Sequence, residues 1–534
     1  MKHIWLRILA VALTIVWMLL LNFWMMPAIN IQSTTMWLMV ILTLVGGAVI
    51  MWCAEYFIGD DNYRGAIVCI LLVVTVVVLM AILSVPSWNL FNAGAFRDVV
   101  NIKQEDNTLD DLPKVESAKD IPIVDMYTAR QLGDRTMGAM SKYSSQYEVN
   151  QEYNLISFNG SYVRISPLEY GDFWKWNTSK RNGIPGYVTV NVYTQEAKFV
   201  QPEKSMFYSP SAGFGDKLKR HLLSLYPSYM MEKAHFEVDD EGVQYYVVPV
   251  VRATAGLFGA MEVYKVILCN AETGDAKEYN LDEVPMWVDH VFSVEYIMER
   301  LDWHYKYVHG FWNTWFAKKD IKGTSYSYDN AQYFFIPKDG DVFLYTGITS
   351  SGTDESNFGF ILANMRTGEI RYYDDIGAEE SSAQSSAEGL VQNLGYKAGP
   401  VMAVTVDGVS TYFMTLKDKG GLVKKVAFVN KANYTIAAEA DTIEQALKLY
   451  RSKIKGEIIN EETETKDGIV NFLFTAVKEG TTFFYFKIEG DNTLYASSLL
   501  TNEVQVTMFV GSKINFTYNI LDKDLALVQK ITIK

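Results

Sequence analysis

The stretch AIVCILLVVTVVVLMAILSV, residues 66–85, contains no charged residue and no proline. An α-helix of about 20 residues, rising about 1.5 Å per residue, spans the roughly 30 Å hydrocarbon core of a bilayer. Two further uncharged apolar runs precede it, at residues 8–26 and 36–54. The first 90 residues therefore predict a membrane α-helical segment with three spans, and the lipid bilayer is one partner of the chain.

The orientation of the anchor follows from its flanking charges. The first run alone could be a signal peptide, but it lacks a small-residue cleavage site and two more runs follow it. Lys2, Arg7 and Arg64 fall on one side of the anchor, whereas the loop of residues 27–35 is uncharged. By the positive-inside rule, we expect a multi-pass protein of the cell membrane whose large C-terminal soluble region is extracytoplasmic.

The composition excludes several classes of protein. The formal net charge of the 534 residues is −14, whereas nucleic-acid binding requires clustered Lys and Arg. Only Cys269 of the three cysteines lies beyond the apolar runs, so the soluble part cannot contain a disulfide. His304 and His309 do not have the i, i+4 spacing that places a metal-binding pair on one helix face. We predict no nucleic acid partner, no metal and no cofactor.

Beyond residue 126, one pattern of strands and turns recurs four times. A strand leads into a turn of the Asn-Gly or Asp-Gly type, the next strand carries tyrosine, and a later strand ends at a second turn. Such dipeptides tolerate positive φ and suit hairpins, so each copy predicts a small antiparallel sheet. Helical stretches at 216–225 and 383–394 precede two copies, which favours α+β layers. The first turns lie at residues 158–160, 240–242, 339–341 and 407–408, and the later strands at 187–191, 266–270, 360–364 and 426–430.

These patterns predict the organisation of the whole chain as a membrane anchor, tandem α+β modules of antiparallel sheet and helix, and a terminal β-domain. Alternating apolar residues and the glycines at positions 480, 490 and 511 predict about five short strands near the C-terminus, in a small β-barrel that is OB-like. The predicted parts are a three-helix anchor (1–90), a linker (91–125), a first module (126–205), a second module with an aromatic helical insertion (206–320), a third module (321–380), a fourth module (381–456) and the barrel (457–534).

The repeated pattern supports a resemblance to a known family. The repeat resembles the PepSY module of bacterial envelope proteins and protease propeptides. It consists of a helix, a strand, an Asp-Gly turn, a tyrosine-bearing strand and a strand that closes on Asn-x-x-Thr-Gly. The match is best at residues 386–436 and next best at 217–279. The layout also resembles membrane-anchored envelope proteins of Gram-positive bacteria that have no assigned activity. The resemblance implies binding or inhibition of peptidases, or a sensory or scaffold role, and it brings no catalytic residues.

One aromatic and basic segment stands out in this acidic protein. Exposed indoles could stack on glycan rings or on a partner protein, but large aromatics also anchor domain cores. Basic residues surround the aromatic ones here, so this segment is the predicted binding surface. Its residues are Phe173, Trp174, Lys175, Trp176, Lys180 and Arg181.

These observations favour a membrane-anchored extracytoplasmic scaffold or binding protein that contacts another envelope protein or a peptidase. The sequence contains no nucleophile elbow or phosphate loop, so no catalytic residue is predicted. A cell-envelope hydrolase acting on peptide or glycan stays open as an alternative; it would have to gather its histidines or acidic pairs from separate modules. An accessory subunit of a membrane transport or secretion complex is a further alternative. The small pair Gly46-Gly47 marks a helix-packing face, which is compatible with a homo-oligomer.

Overall fold

The computed structural model describes residues 2–59, 63–105, 111–117, 121–325, 333–350, 356–455, 464–478, 481–499, 506–522 and 525–533. The chain divides into two compact bodies, Met1–Arg451 and Ser452–Lys534. The first contains the anchor and the four modules. The predicted turn at Gly480 lies outside the described residues, as do the first residues of the predicted barrel, 457–463.

The anchor consists of α1 (Lys2–Met25), α2 (Thr34–Ile58) and α3 (Arg64–Ser84). In the described part of the chain, three helices are long and apolar enough to cross a membrane, in agreement with the three predicted spans. Gly46 allows the close approach of α1, because a Cβ there would meet the Trp17 ring, whose Nε1 donates to the Leu42 carbonyl at 3.0 Å. The small-residue face is therefore used inside the three-helix bundle.

Helix α2 continues past its predicted end and carries a buried carboxylate. Glu55 is 2% exposed and accepts the backbone N–H groups of Gly65 at 2.6 Å and Ala66 at 3.3 Å. These two groups belong to the first turn of α3, where the backbone donors have no partner within the helix. Glu55 thus ties the end of α2 to the beginning of α3.

The segment that leaves the membrane, which was expected to be a linker, takes part in several sheets. It contains α4 (Asn89–Arg97) and β1 (Ile102–Glu105), and β1 pairs in parallel with the strand Ile370–Ala378 of the third module. Lys114 then forms a bridge with Thr405 of the fourth module. Buried apolar side chains explain the difference from a solvated linker: Leu112, Val115, Ile121 and Val124.

Each module combines one helix or more with an antiparallel sheet. The first contains α5 (Met126–Gly138), β2 (Tyr147–Val149), β3 (Asn154–Phe158), β4 (Ser161–Tyr170), α6 (Phe173–Ser179), β5 (Tyr187–Asn191) and β6 (Ala197–Val200). The second contains α7 (Leu218–Leu225), β7 (Met230–Met231), β8 (His235–Val238), β9 (Gln244–Ala255), β10 (Gly259–Asn270) and β11 (Ala276–Asn280).

The third and fourth modules repeat this sequence of elements. The third contains α8 (Val294–Lys306), β12 (Lys322–Thr324), β13 (Phe334–Lys338), β14 (Asp341–Ser350), β15 (Ser356–Asn364) and β16 (Ile370–Ala378). The fourth contains α9 (Glu380–Leu390), β17 (Lys397–Ala398), β18 (Met402–Val406), β19 (Val409–Lys417), β20 (Val423–Asn430) and β21 (Ala437–Ala440), and α10 (Ile443–Lys455) follows it.

One strand order is common to the sheets of the described modules. They run β2-β4-β5-β6, β7-β9-β10-β11, β12-β14-β15-β16 and β17-β19-β20-β21, and in each the second strand along the chain pairs with the third as a hairpin. Asn159 and Gly160, with φ of 50° and 73°, form the first of these hairpin turns, as the Asn-Gly signal predicts. One hydrophobic core extends through the first three modules.

The second body is built from β22 (Glu464–Lys478), β23 (Thr481–Ile488), β24 (Leu494–Ser498), β25 (Lys513–Asp522) and β26 (Leu525–Ile533). These described strands form a closed barrel in the order β22-β23-β24-β26-β25, with β24 and β26 parallel. Aromatic rings fill its interior, where Phe486, Tyr495 and Phe516 are at most 1% exposed.

Candidate functional site

A cavity of about 480 Å³ lies between the first and second modules. Helix α7 forms one wall, because Leu218 and Leu222 are spaced one turn apart and both point inward, whereas Lys219 between them is exposed. Phe236 and Val248 of the second sheet continue the apolar lining. A cavity of this size that combines apolar walls with polar groups is typical of small-ligand and side-chain binding sites.

One partly buried and one fully buried polar side chain also line the cavity. Glu169 of β4 accepts a hydrogen bond from Asn150 Nδ2 at 2.7 Å, and burial raises the pKa of its carboxyl. Tyr246 of β9 is 2% exposed, and its hydroxyl has no hydrogen-bond partner among the described residues. An unpaired buried hydroxyl costs about 1–3 kcal/mol. A ligand acceptor that reached this hydroxyl would remove that cost.

The mouth of the cavity carries charges of both signs. Lys233 of the second module forms an ion pair with Glu152 of the first, which joins the two modules at the rim. Lys217, Lys219 and Glu232 also line the cavity. The mixed charges suit a ligand with both donor and acceptor groups, such as a peptide backbone, more than a strongly anionic one.

Much of the predicted binding segment folds as α6, and its aromatic residues divide into buried and exposed ones. Asp172 caps this helix by accepting the N–H of Lys175 at 2.9 Å. Trp176 is 3% exposed and belongs to the core, as the packing interpretation of this segment allowed, whereas Trp174 is 73% exposed.

The remaining predicted binding residues lie at the surface around α6. Phe173 is exposed beside Trp174, with 5.5 Å between ring centroids. Lys180 stacks over the Trp176 ring at 4.9 Å, and Arg181 is exposed. Lys175 lies 3.6 Å from Glu148 and 3.9 Å from Asp172. The residues that line the cavity are a separate set.

The three histidines between residues 290 and 309 occupy different environments. His290 is buried, and its Nε2 donates to the Leu155 carbonyl at 2.7 Å. His304 Nδ1 lies 3.0 Å from the Arg97 carbonyl, and His309 pairs with Asp320 at the surface. Among the described residues, no group of three or more His, Cys, Asp or Glu side chains is arranged to hold a metal ion.

A buried acidic pair accompanies His290. Glu237 accepts the backbone N–H groups of Asp289 at 2.8 Å and His290 at 2.7 Å, and Asp289 accepts that of Ser157 at 2.7 Å. Burial and mutual repulsion raise the pKa of Asp289, and burial raises that of Glu237. Because Asp289 and His290 also bond to Ser157 and Leu155, this cluster links the second module to the first.

A second buried polar network joins the third and fourth modules. Asp375 binds Lys431 at 2.9 Å, and Lys431 is 1% exposed. Glu380 accepts hydrogen bonds from Ser325 at 2.8 Å and Asn357 at 3.0 Å. Asp375 and Glu380 each follow another acidic residue in the chain, which is typical of solvated turns, so the sequence did not predict this network. The spacing of Leu218 and Leu222 was the available signal for the cavity.

Comparison with models of protein families found no match to this chain, and comparison with curated proteins found none either. Among solved structures, a chain described as "Structural mimicry for functional antagonism" is 13% identical, with 25% of this chain and 90% of that chain covered and a TM-score of 0.11. Two variants of levansucrase from B. megaterium are each 10% identical. They cover 79% and 78% of this chain and 92% and 93% of their own, with TM-scores of 0.14 and 0.15. TM-scores this low carry no argument about fold or function.

Proposed function

We propose that this protein is a membrane-anchored binding protein that holds an extended peptide segment of an envelope protein or peptidase in the cavity between its first and second modules. The observation that carries the proposal is the cavity of about 480 Å³, which is lined by Glu169 and by Tyr246, whose buried hydroxyl has no partner among the described residues. A buried hydroxyl without a hydrogen-bond partner destabilises the protein, and a ligand that accepts its hydrogen bond removes that cost.

A peptide matches the cavity in two respects. Its backbone carbonyl can accept a hydrogen bond from Tyr246, while a backbone N–H can donate to Glu169. One large apolar side chain can fill the space beside Leu222 and Phe236, which the cavity volume of about 480 Å³ permits. Because the rim carries charges of both signs, we expect shape and hydrogen bonding, rather than net charge, to determine which peptide binds.

Three finer features belong to this proposal. The modules are PepSY-like, and their common strand order supports that likeness. The barrel is OB-like, in keeping with its five-stranded closure. The modules and the barrel are extracytoplasmic. Protease added to intact cells should then cleave the C-terminal body, and protection until the membrane is opened would contradict this orientation.

The binding proposal can be tested by photocrosslinking with the full-length chain in cells. A photoreactive amino acid at Lys219, on the cavity rim, should capture a protein partner, whereas the same group at exposed Lys397 in the fourth module should not. Mass spectrometry of the adduct then identifies the captured peptide.

A cavity-filling variant makes this test specific. Ala234→Phe places a ring at the cavity, and we expect it to abolish capture from position 219. Ala432→Phe adds the same ring at an exposed position of the fourth module and should leave capture intact. Equal capture by both variants would overturn the proposal.

A further inference from the structure

Two exposed aromatic patches lie beside the membrane anchor. We call the first the α6 patch; it contains Phe173, Trp174 and Phe214, which are 46%, 73% and 52% exposed. The second, the 312–316 patch, follows α8. It contains Trp312, Trp315 and Phe316, which are 61%, 70% and 78% exposed.

The α6 patch adjoins the last turn of α1. The Phe214 ring lies 5.8 Å from the Phe173 ring and 5.8 Å from the ring of Phe23, a residue of α1. Arg220 fixes this contact, because its guanidinium lies 4.0 Å from the Phe23 ring centroid and donates to the Phe23 carbonyl at 2.9 Å. Trp24 is 76% exposed at the same helix end.

The 312–316 patch adjoins the segment that follows α3. Asn89 of α4 donates to the Tyr307 hydroxyl at 2.6 Å, and the Phe96 ring lies 4.8 Å from the Trp303 ring. Phe311 packs against this same cluster and leads directly into the patch. Trp88 and Phe91, also exposed, stack with 6.4 Å between ring centroids.

Both patches therefore lie at the same end of the anchor, on one side of the membrane. The chain crosses with α1, returns with α2 and crosses again with α3, so the ends of α1 and α3 lie on the same side. The α1–α2 loop meets the second module on that side, where Ile29 N–H donates to the Pro227 carbonyl at 2.7 Å and Asn30 to the Ser228 carbonyl at 3.0 Å.

Cationic side chains accompany each patch in this acidic protein. Lys180 and Arg181 are exposed just after α6, and Lys318 and Lys319 are exposed just after Phe316. Indole rings beside lysine or arginine are the combination found at membrane interfaces, because the rings favour the headgroup region and the cations attract anionic lipids.

We propose that the first and second modules, together with α8 and the segment after it, lie against the bilayer that holds the anchor. The α6 patch and the 312–316 patch enter the headgroup region of that bilayer, and their flanking cations contact anionic phospholipid. The continuity of both patches with the ends of the spanning helices favours lipid over a glycan or a soluble protein as the occupant. Arg220 and Leu222 share α7, so the cavity lies one helix from the membrane surface.

The test uses spin labels on the full chain in nanodiscs, with the three native cysteines replaced. Labels at Thr178, one turn from Trp174, and at Ala317, next to Phe316, report on the two patches; a label at Lys397 is the control. We expect Thr178 and Ala317 to be more accessible to oxygen than to a water-soluble nickel complex, and Lys397 to show the reverse. Trp174→Ala should shift only the Thr178 label toward water, and Trp315→Ala only the Ala317 label.

Lipid composition tests the cationic part of the proposal. Replacing phosphatidylcholine nanodiscs with a phosphatidylcholine–phosphatidylglycerol mixture should move both labels deeper. Lys180→Glu with Arg181→Glu should remove that shift at Thr178, and Lys318→Glu with Lys319→Glu should remove it at Ala317. Labels at both patches that are as accessible to nickel as Lys397 would overturn the proposal. A depth unaffected by phosphatidylglycerol would overturn the contact with anionic lipid.

Discussion

Asp125 and Lys417 form a buried ion pair that joins α5 of the first module to β19 of the fourth. Their side chains are 10% and 8% exposed. Asp125 also caps α5 by accepting the Thr128 N–H at 2.8 Å. Burial acts to raise the pKa of the Asp125 carboxyl, but the Lys417 charge and the hydrogen bonds prevail and lower it. The pair therefore stabilises the fold above the ordinary carboxyl pKa, and this stability is lost as pH falls through the lowered value.

We expect Asp125→Asn to lower the free energy of unfolding by about 3–5 kcal/mol, because it leaves the Lys417 charge buried without its partner. Asparagine is itself a good helix cap, so the capping bond survives. Denaturant unfolding followed by tryptophan fluorescence measures the change. Asp172→Asn is the matched control at the cap of α6, where the exposed pair with Lys175 should contribute less than about 1 kcal/mol. Equal losses would contradict the role of the ion pair.

The buried His235 makes stability depend on pH in the mildly acidic range. Burial lowers the pKa of His235 from 6.5 to about 4. Between these values the unfolded chain binds a proton that the folded chain does not, so stability falls as pH falls. We expect His235→Leu to remove up to about 1.4 kcal/mol per pH unit from this slope. Unfolding measured at several pH values from neutral to 4 checks it, and parallel slopes for the two proteins would argue against it.

Gly256 should be needed where the second module meets the end of α3. Its φ is +60°, and a Cβ there would lie 2.7 Å from the backbone of Pro86 and Ser87. We expect Gly256→Ala to increase hydrogen exchange across residues 85–97, because the β9–β10 turn would be pushed from this segment. Gly242→Ala has a comparable positive φ but open space around its Cβ, so it should show the backbone strain alone. Exchange raised equally by both would refute the contact.

Tyr246→Phe should separate binding from folding. Removing a hydroxyl without a partner should leave stability unchanged or raise it, whereas affinity for the captured peptide should fall about two- to tenfold. Tyr412→Phe is the opposite control. The Tyr412 hydroxyl donates to the Ala378 carbonyl at 2.9 Å, so its loss should lower stability by about 1 kcal/mol and leave binding intact. Calorimetric titration and thermal unfolding measure the two effects.

Local features of the fold were predictable from the sequence. The spans depend on composition over about 20 residues, and hairpin turns such as Asp339-Gly340 depend on two residues that tolerate positive φ. Asp339 and Gly340 have φ values of 54° and 84°, in the left-handed region. The different exposure of Trp174 and Trp176 in α6 was also predictable. Residues two apart on a helix face different directions, so one indole is exposed and the other is buried.

The contacts between modules were not predictable. The Asp125–Lys417 pair and the placement of Glu169 and Tyr246 around one cavity depend on how sheets pack, which single-sequence periodicity does not encode. Buried charges were particularly misleading, since Asp375 and Glu380 occur among polar neighbours of the kind that usually face water. The cavity forms where the first and second modules pack against each other. No motif within either module specifies that packing.

The parallel pairing of β1 with β16 also constrains the order in which this protein can be made. Residues 102–105 leave the ribosome well before residues 370–373, their partners in the completed sheet. Until then β1 is a free strand edge, which is a site for mispairing with other chains. A chain truncated after the second module would keep that edge permanently. The modules are repeated in form, but they cannot mature one at a time.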